Sequence, residues 1–108
     1  MGTLDLEALR DALSRGEKRL RITAHAQVEG FKDGLELGDL RFVLETGRAI
    51  ESYPERRRLL LFAATPSSRL PVHIVVEDSN DEVVIVSSYV PDPNEWIAFA
   101  KRRRKPKK

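Results

Sequence analysis

The sequence predicts an α+β domain: N-terminal helices followed by a four-stranded, mainly antiparallel sheet and a short C-terminal helix. Two observations carry this. Up to Gly47 the apolar residues recur at the three- and four-residue spacing of a helix face. From Arg48 onward they gather into short β-branched runs separated by turn clusters. Links this short join antiparallel neighbours, because parallel pairs need long crossovers, and helices followed by a meander of strands make an α+β arrangement.

Taken in order, Thr3 is placed to cap a first helix in which Leu6, Leu9 and Leu13 share a face and which ends at Gly16. The extended run Arg19-Leu20-Arg21-Ile22 leads into a second helix. Thr23 is its candidate cap, Val28 and Phe31 its apolar stripe, and Gly34 its stop. A third runs from about Leu37 to Thr46, with Leu37, Leu40, Val43 and Leu44 as its apolar side and Gly47 as terminator. Four strands are then expected at residues 49–53, 59–65, 72–77 and 82–90, parted by Pro54, by Pro66-Ser67-Ser68 and by Asp78-Ser79-Asn80-Asp81. The runs at 59–62 and 83–86 are apolar on both faces and should be central, with helices over at least one side. Pro91-Asp92-Pro93 stops the last strand, after which Asn94 could cap a final helix docked by Trp96 and Phe99.

Length and charge narrow the function. At 108 residues the chain suffices for one core, expected over residues 1–100 with a basic tail at 101–108. Zero cysteines remove disulfides and thiolate metal sites, and fit a reducing cytoplasm. No apolar run approaches a membrane span, and Asp5, Glu7 and Asp11 are wrong for a signal peptide, so a soluble cytoplasmic protein is expected. Seven of the 19 Lys and Arg residues lie in the tail, leaving twelve against 17 acidic side chains in residues 1–100, a net of −5. Polyanion binding would have to come from local clusters such as Arg56-Arg57-Arg58 or from the tail. The plainer reading of that tail is a solvated, frayed end that can be removed beyond Ala100 without loss of stability. The two histidines and scattered acids have no metal-ligand spacing, and the six glycines are dispersed, so neither a metal nor a cofactor is expected.

Six pieces resemble a known family: Ile22-Thr23-Ala24-His25-Ala26, Asp33-Gly34-Leu35, Glu45-Thr46-Gly47, Tyr53-Pro54, Pro71-Val72-His73-Ile74-Val75-Val76 and Tyr89-Val90-Pro91-Asp92-Pro93-Asn94-Glu95-Trp96. In this order, over about residues 19–104, they look like a small bacterial domain of unknown function, number 4258 in that series. Glu36-Leu37-Gly38-Asp39 departs from the family's serine-capped start of the third helix. The resemblance implies a toxin-like ribonuclease fold similar to the RelE and barnase–colicin group, and a small zinc-finger antitoxin as partner.

Metal-free RNA cleavage needs a base for the 2′-OH, an acid for the leaving oxygen and fixed cations for the phosphorane. His25, beside the free amides of a helix start, could be the base or acid; Arg56 and Arg58 could be the cationic clamp; Tyr53 or Tyr89 could stack a base. His73 lies on the strand face opposite Val72, Ile74 and Val76 and could pair with His25 as acid and base. Each has a plainer role: His25 fixing a corner, His73 packing in a sheet, the arginines guarding a strand edge. One of Ser87 and Ser88 must face inward. The sequence therefore supports two functions, a toxin-like metal-independent endoribonuclease and a non-catalytic protein- or RNA-binding domain of the same fold.

Overall fold

Asp5 opens the first helix, α1 (Leu6–Ser14), by accepting the Glu7 and Ala8 amides at 3.0 and 3.4 Å. The structure, a computed structural model, describes residues 5–66 and 69–102. Thr3 lies outside them, and Asp5 does the capping expected of it because its carboxylate sits at the helix start itself. Strand β1 (Arg19–Ile22) follows, alternating exposed arginines with half-buried Leu20 and Ile22.

Thr23 caps α2 (Ala24–Lys32) through its hydroxyl, which accepts the Ala26 amide at 3.0 Å. The face α2 buries is not the expected one. Val28 and Phe31 are 53% and 55% exposed, and Ala26 and Gly30 meet the sheet instead. Backbone proximity explains this: a Cβ on Gly30 would stand 2.6 Å from the Ser88 hydroxyl, so only the small side fits. The third helix, α3 (Leu37–Thr46), starts with the Glu36 amide donating to Asp39 at 2.8 Å, which replaces a serine cap. It buries Leu40, Val43 and Leu44 but leaves Leu37 exposed.

Strands β2 (Arg48–Tyr53), β3 (Arg58–Ala64), β4 (Pro71–Asp78) and β5 (Glu82–Tyr89) form antiparallel neighbours. The sheet has five strands, not four, in the order β1-β5-β4-β3-β2. β1 runs parallel to β5, with Arg19 opposite Glu82 and Ile22 opposite Ile85. The sheet is therefore mixed: the short-link rule governs β2 to β5, but more than half the chain, with two helices and three strands, separates β1 from its partner. Leu61, Ile74, Val76 and Ile85 face α3 and its neighbours as the core. Burying one such side chain contributes about 1.5–3 kcal/mol.

No C-terminal helix forms. Asp92 accepts the Asn94 amide at 2.9 Å in a local turn, and the chain then makes a small hairpin, β6 (Trp96–Ile97) with β7 (Lys101–Arg102). Ala98 and Phe99 reverse its direction at φ 51° and 61°. Left-handed residues cannot continue a helix, and the hairpin they close buries Trp96 on the helix-free face of the sheet, against His73. The ordered fold thus extends past Ala100 into the first two residues of the basic run; residues 103–108 lie outside the described part. No helix among the described residues is long and apolar enough to cross a membrane.

Candidate functional site

Away from the helices the sheet carries a row of four neighbouring side chains, Arg48, Phe62, His73 and Tyr89, one from each of β2 to β5. The His73 ring meets Phe62, Tyr89 and Trp96 edge-on, at centroid distances of 5.7, 5.3 and 4.5 Å. The Arg48 guanidinium lies 5.6 Å over the Phe62 ring. His73 is 0% exposed, and its Nε2 is 2.6 Å from the Phe99 carbonyl. A carbonyl only accepts, so Nε2 carries the proton, and Nδ1 offers its lone pair to the Tyr89 hydroxyl 3.4 Å away. Burial pushes the imidazole pKa below its ordinary 6.5, and Arg102 adds to this; the Phe99 bond and the Glu51 charge oppose it without winning. The ring is neutral at pH 7. Burial also raises the Tyr89 phenol to about 12, with Arg102 opposing and Tyr53, Glu51 and Glu29 reinforcing, so it keeps its proton.

Two β-bulges bring further groups to this face. In β2 the register slips between Ala49 and Glu51, which sets Glu51 opposite Leu60 and Tyr53 opposite Arg58. In β5 it slips at Val86, so Ile85 pairs with Val76 but Ser87 pairs with Val75. Unbroken alternation would have turned Glu51, Tyr53 and Tyr89 toward the helices; each bulge moves the residues beyond it to the other face. The same slip turns Ser88 inward, where its hydroxyl donates to the Ala26 carbonyl at 2.7 Å.

The Glu51 carboxylate accepts from the Tyr53 hydroxyl and from Arg102, whose Nε and one terminal nitrogen lie at 3.2 and 3.0 Å. Burial pushes its pKa up, but the bonds from Arg102 and Tyr53 and the Arg102 charge outweigh that and hold it below the usual carboxylate range. Tyr53 is shifted up, by burial and then by Glu51. The Glu51 bond lifts Arg102 above the ordinary guanidinium value, and its guanidinium also lies 4.5 Å over the Trp96 ring.

Of the residues singled out from sequence, Tyr53, His73 and Tyr89 thus share one face, and Arg58 joins them at its edge in an ion pair with Glu77 at 2.8 Å. His25 and Arg56 do not join them. His25, with a side chain 70% exposed, sits in the first turn of α2, its Nε2 3.3 Å from Glu29. That glutamate also takes the Ser87 hydroxyl at 2.7 Å and the Ser88 amide at 3.1 Å, while Asp33 takes the Val90 amide at 2.8 Å. One helical turn along α2 thereby satisfies the edge of β5 beyond the end of β1. Arg56 stands exposed in the 3-10 turn Pro54–Arg56 between β2 and β3, at the opposite edge of the sheet from β5 and α2. The cationic clamp expected of Arg56 and Arg58 together is broken by that turn and by Arg57, which has φ 55° and pairs with Asp78. The acid–base pair that His73 could form with His25 is not made, since His73 is enclosed by Phe62, Tyr89 and Trp96 on its own face, the packing role read as the plainer one.

Glu51, Arg48 and Arg102 were not singled out from sequence. Glu51 carried one signal, its i, i+2 relation to Tyr53; Arg102 was hidden in a run of like charges. Among the described residues no group of three or more His, Asp or Glu side chains could hold a metal ion.

A family model described as Domain of unknown function (DUF4258) matches residues 22–90. The chain belongs to this family. The DUF4258 match runs from the end of β1 to just past β5, so it includes Glu51, Tyr53, His73 and Tyr89 and stops short of Trp96 and Arg102. No curated protein and no solved structure gives a significant match.

Proposed function

We propose that the helix-free face is a metal-independent RNA-cleaving site and that the protein is the endoribonuclease toxin of a toxin–antitoxin pair. The reading rests on the two bulges, which spend sheet regularity to turn a carboxylate and two phenols onto the face that holds the buried histidine. Glu51 is the base for the 2′-OH, its depressed pKa keeping it ionised at neutral pH. Tyr89 is the acid for the 5′-oxygen: protonated at neutral pH, its hydroxyl gives up the long bond to His73 Nδ1 and turns its one proton to the leaving oxygen. Arg48, exposed and anchored on Phe62, neutralises charge on the phosphorane. A small zinc-finger protein that blocks this face is the partner the reading requires.

The test is cleavage of single-stranded RNA in the presence of a chelator. Glu51→Gln and Tyr89→Phe should each lose about two or more orders of magnitude in rate, a 2′-deoxy nucleotide at the cut should abolish cleavage, and His25→Ala should retain it. A second reading has its own support, because Arg102 already occupies the Glu51 carboxylate. If RNA is bound without being cut, and Glu51→Gln changes nothing, the protein is the non-catalytic RNA-binding domain.

A further inference from the structure

The hairpin Trp96–Arg102 is attached to the sheet quite differently from every other element. It is not a member of the five-stranded sheet and has only two residue pairs of its own, Trp96 with Arg102 and Ile97 with Lys101. Its turn uses Ala98 and Phe99 in the left-handed region, which side chains adopt only at a cost. What fastens it is the burial of one indole, Trp96, edge-on against His73, and a short set of directional contacts: the Phe99 carbonyl on His73 Nε2 and the Arg102 guanidinium on both oxygens of Glu51. With Tyr53 also donating to Glu51, three hydrogen bonds already engage that carboxylate, and a substrate hydroxyl would compete with them. The hairpin also lies beyond the residues matched by the DUF4258 model, whereas the groups it covers lie within them.

We propose that residues 96–102 are a detachable autoinhibitory strap, in which Arg102 holds Glu51 and Trp96 roofs His73, and that the strap lifts locally to open the face. The inference rests on reading that face as the RNA-cleaving site. Lifting breaks the bonds from Arg102 to Glu51 and from His73 to Phe99, freeing the Glu51 carboxylate and the Nε2–H while the five-stranded sheet stays intact. A substrate or an engaging partner then meets Glu51, Tyr89 and Arg48 together.

Two features make the test direct. The chain has two histidines, one exposed and one under the strap, and its single tryptophan is in the strap. Acylation of the intact protein by diethyl pyrocarbonate, read peptide by peptide, should modify His25 fast and His73 slowly. Below the unfolding transition the His73 rate should be nearly independent of urea, because a local opening exposes little surface. Arg102→Gln should raise the His73 rate and the acrylamide quenching of Trp96 about three- to tenfold, leave the His25 rate unchanged, and raise the rate of RNA cleavage in parallel. If His73 in the unaltered protein instead reacts with the urea dependence of global unfolding, the strap is part of the cooperative core and the proposal fails, whatever RNA does. If His73 opens locally but no variant cuts RNA, the strap stands and the ribonuclease reading falls.

Discussion

The helix side of the sheet is closed by α3, with Leu40, Val43 and Leu44, over β3 and β4, with Leu61 and Ile74, an apolar seam without direction or charge. The other side buries His73 just as fully, yet its cover is one short hairpin holding on through a carbonyl, a guanidinium and an indole. Apolar burial adds up over area and fails only when the domain unfolds. Directional contacts are few and can be exchanged one at a time for those of a ligand. The same strands thus present one face built to stay shut and one built from contacts that can open.

The strongest way to break this contrast is to empty a position on each side. Ile74→Ala, on the helix side, should cost about 2–5 kcal/mol in denaturant unfolding; a smaller loss than that of Arg102→Gln would invert the comparison. Gly30→Ala should come next, at about 1–3 kcal/mol, because its Cβ meets the Ser88 hydroxyl at 2.6 Å. Combining it with Ser88→Ala should recover part of that loss, which a double-mutant cycle by thermal melting can measure.

Acid acts on the hairpin side through His73. The folded pKa of His73 lies below its unfolded 6.5, so the unfolded chain binds the extra proton first. The stability linked to a neutral His73 is complete above about pH 6.5 and is lost as the pH falls toward the folded value. Melting temperatures between pH 7 and 5 should show a decline that His73→Phe removes; an unchanged slope in that variant would assign the decline elsewhere. Glu51 acts separately, at lower pH, since its depressed pKa contributes stability present above 4.5 and lost below it. The smallest effect is expected of Arg102→Gln, within about 1 kcal/mol of the parent by denaturant unfolding, as befits an exposed ion pair, although local access to His73 changes severalfold.

Part of this fold is legible in the sequence, because local chemistry controls it. The Thr23 cap, α3 from Leu37 to Thr46 and the three adjacent strands β3, β4 and β5 follow from caps, spacing and turn residues within a few positions of each element. The buried side of α2 did not follow, because periodicity weighs large residues and this contact is made by Ala26 and Gly30. Nor did the place of β1 in the sheet, although Arg19-Leu20-Arg21-Ile22 alternates as a half-buried strand should, because its partner is near the other end of the chain. For the candidate site, Tyr53, His73 and Tyr89 were recognisable as residue types, whereas their meeting was not.

The sequence by itself determined the α+β class, the element order through β5 and the apolar composition of the strands, all set by interactions between near neighbours. The tertiary structure decided which side chains face one another. A bulge is one extra residue, invisible in a two-residue period until the opposite strand is in place, and two of them carry Glu51, Tyr53 and Tyr89 across the sheet. The fate of Arg102 was likewise decided there: in a run of like charges it looks solvated, and only the approach of Glu51 and Trp96 gives it a reason to dock.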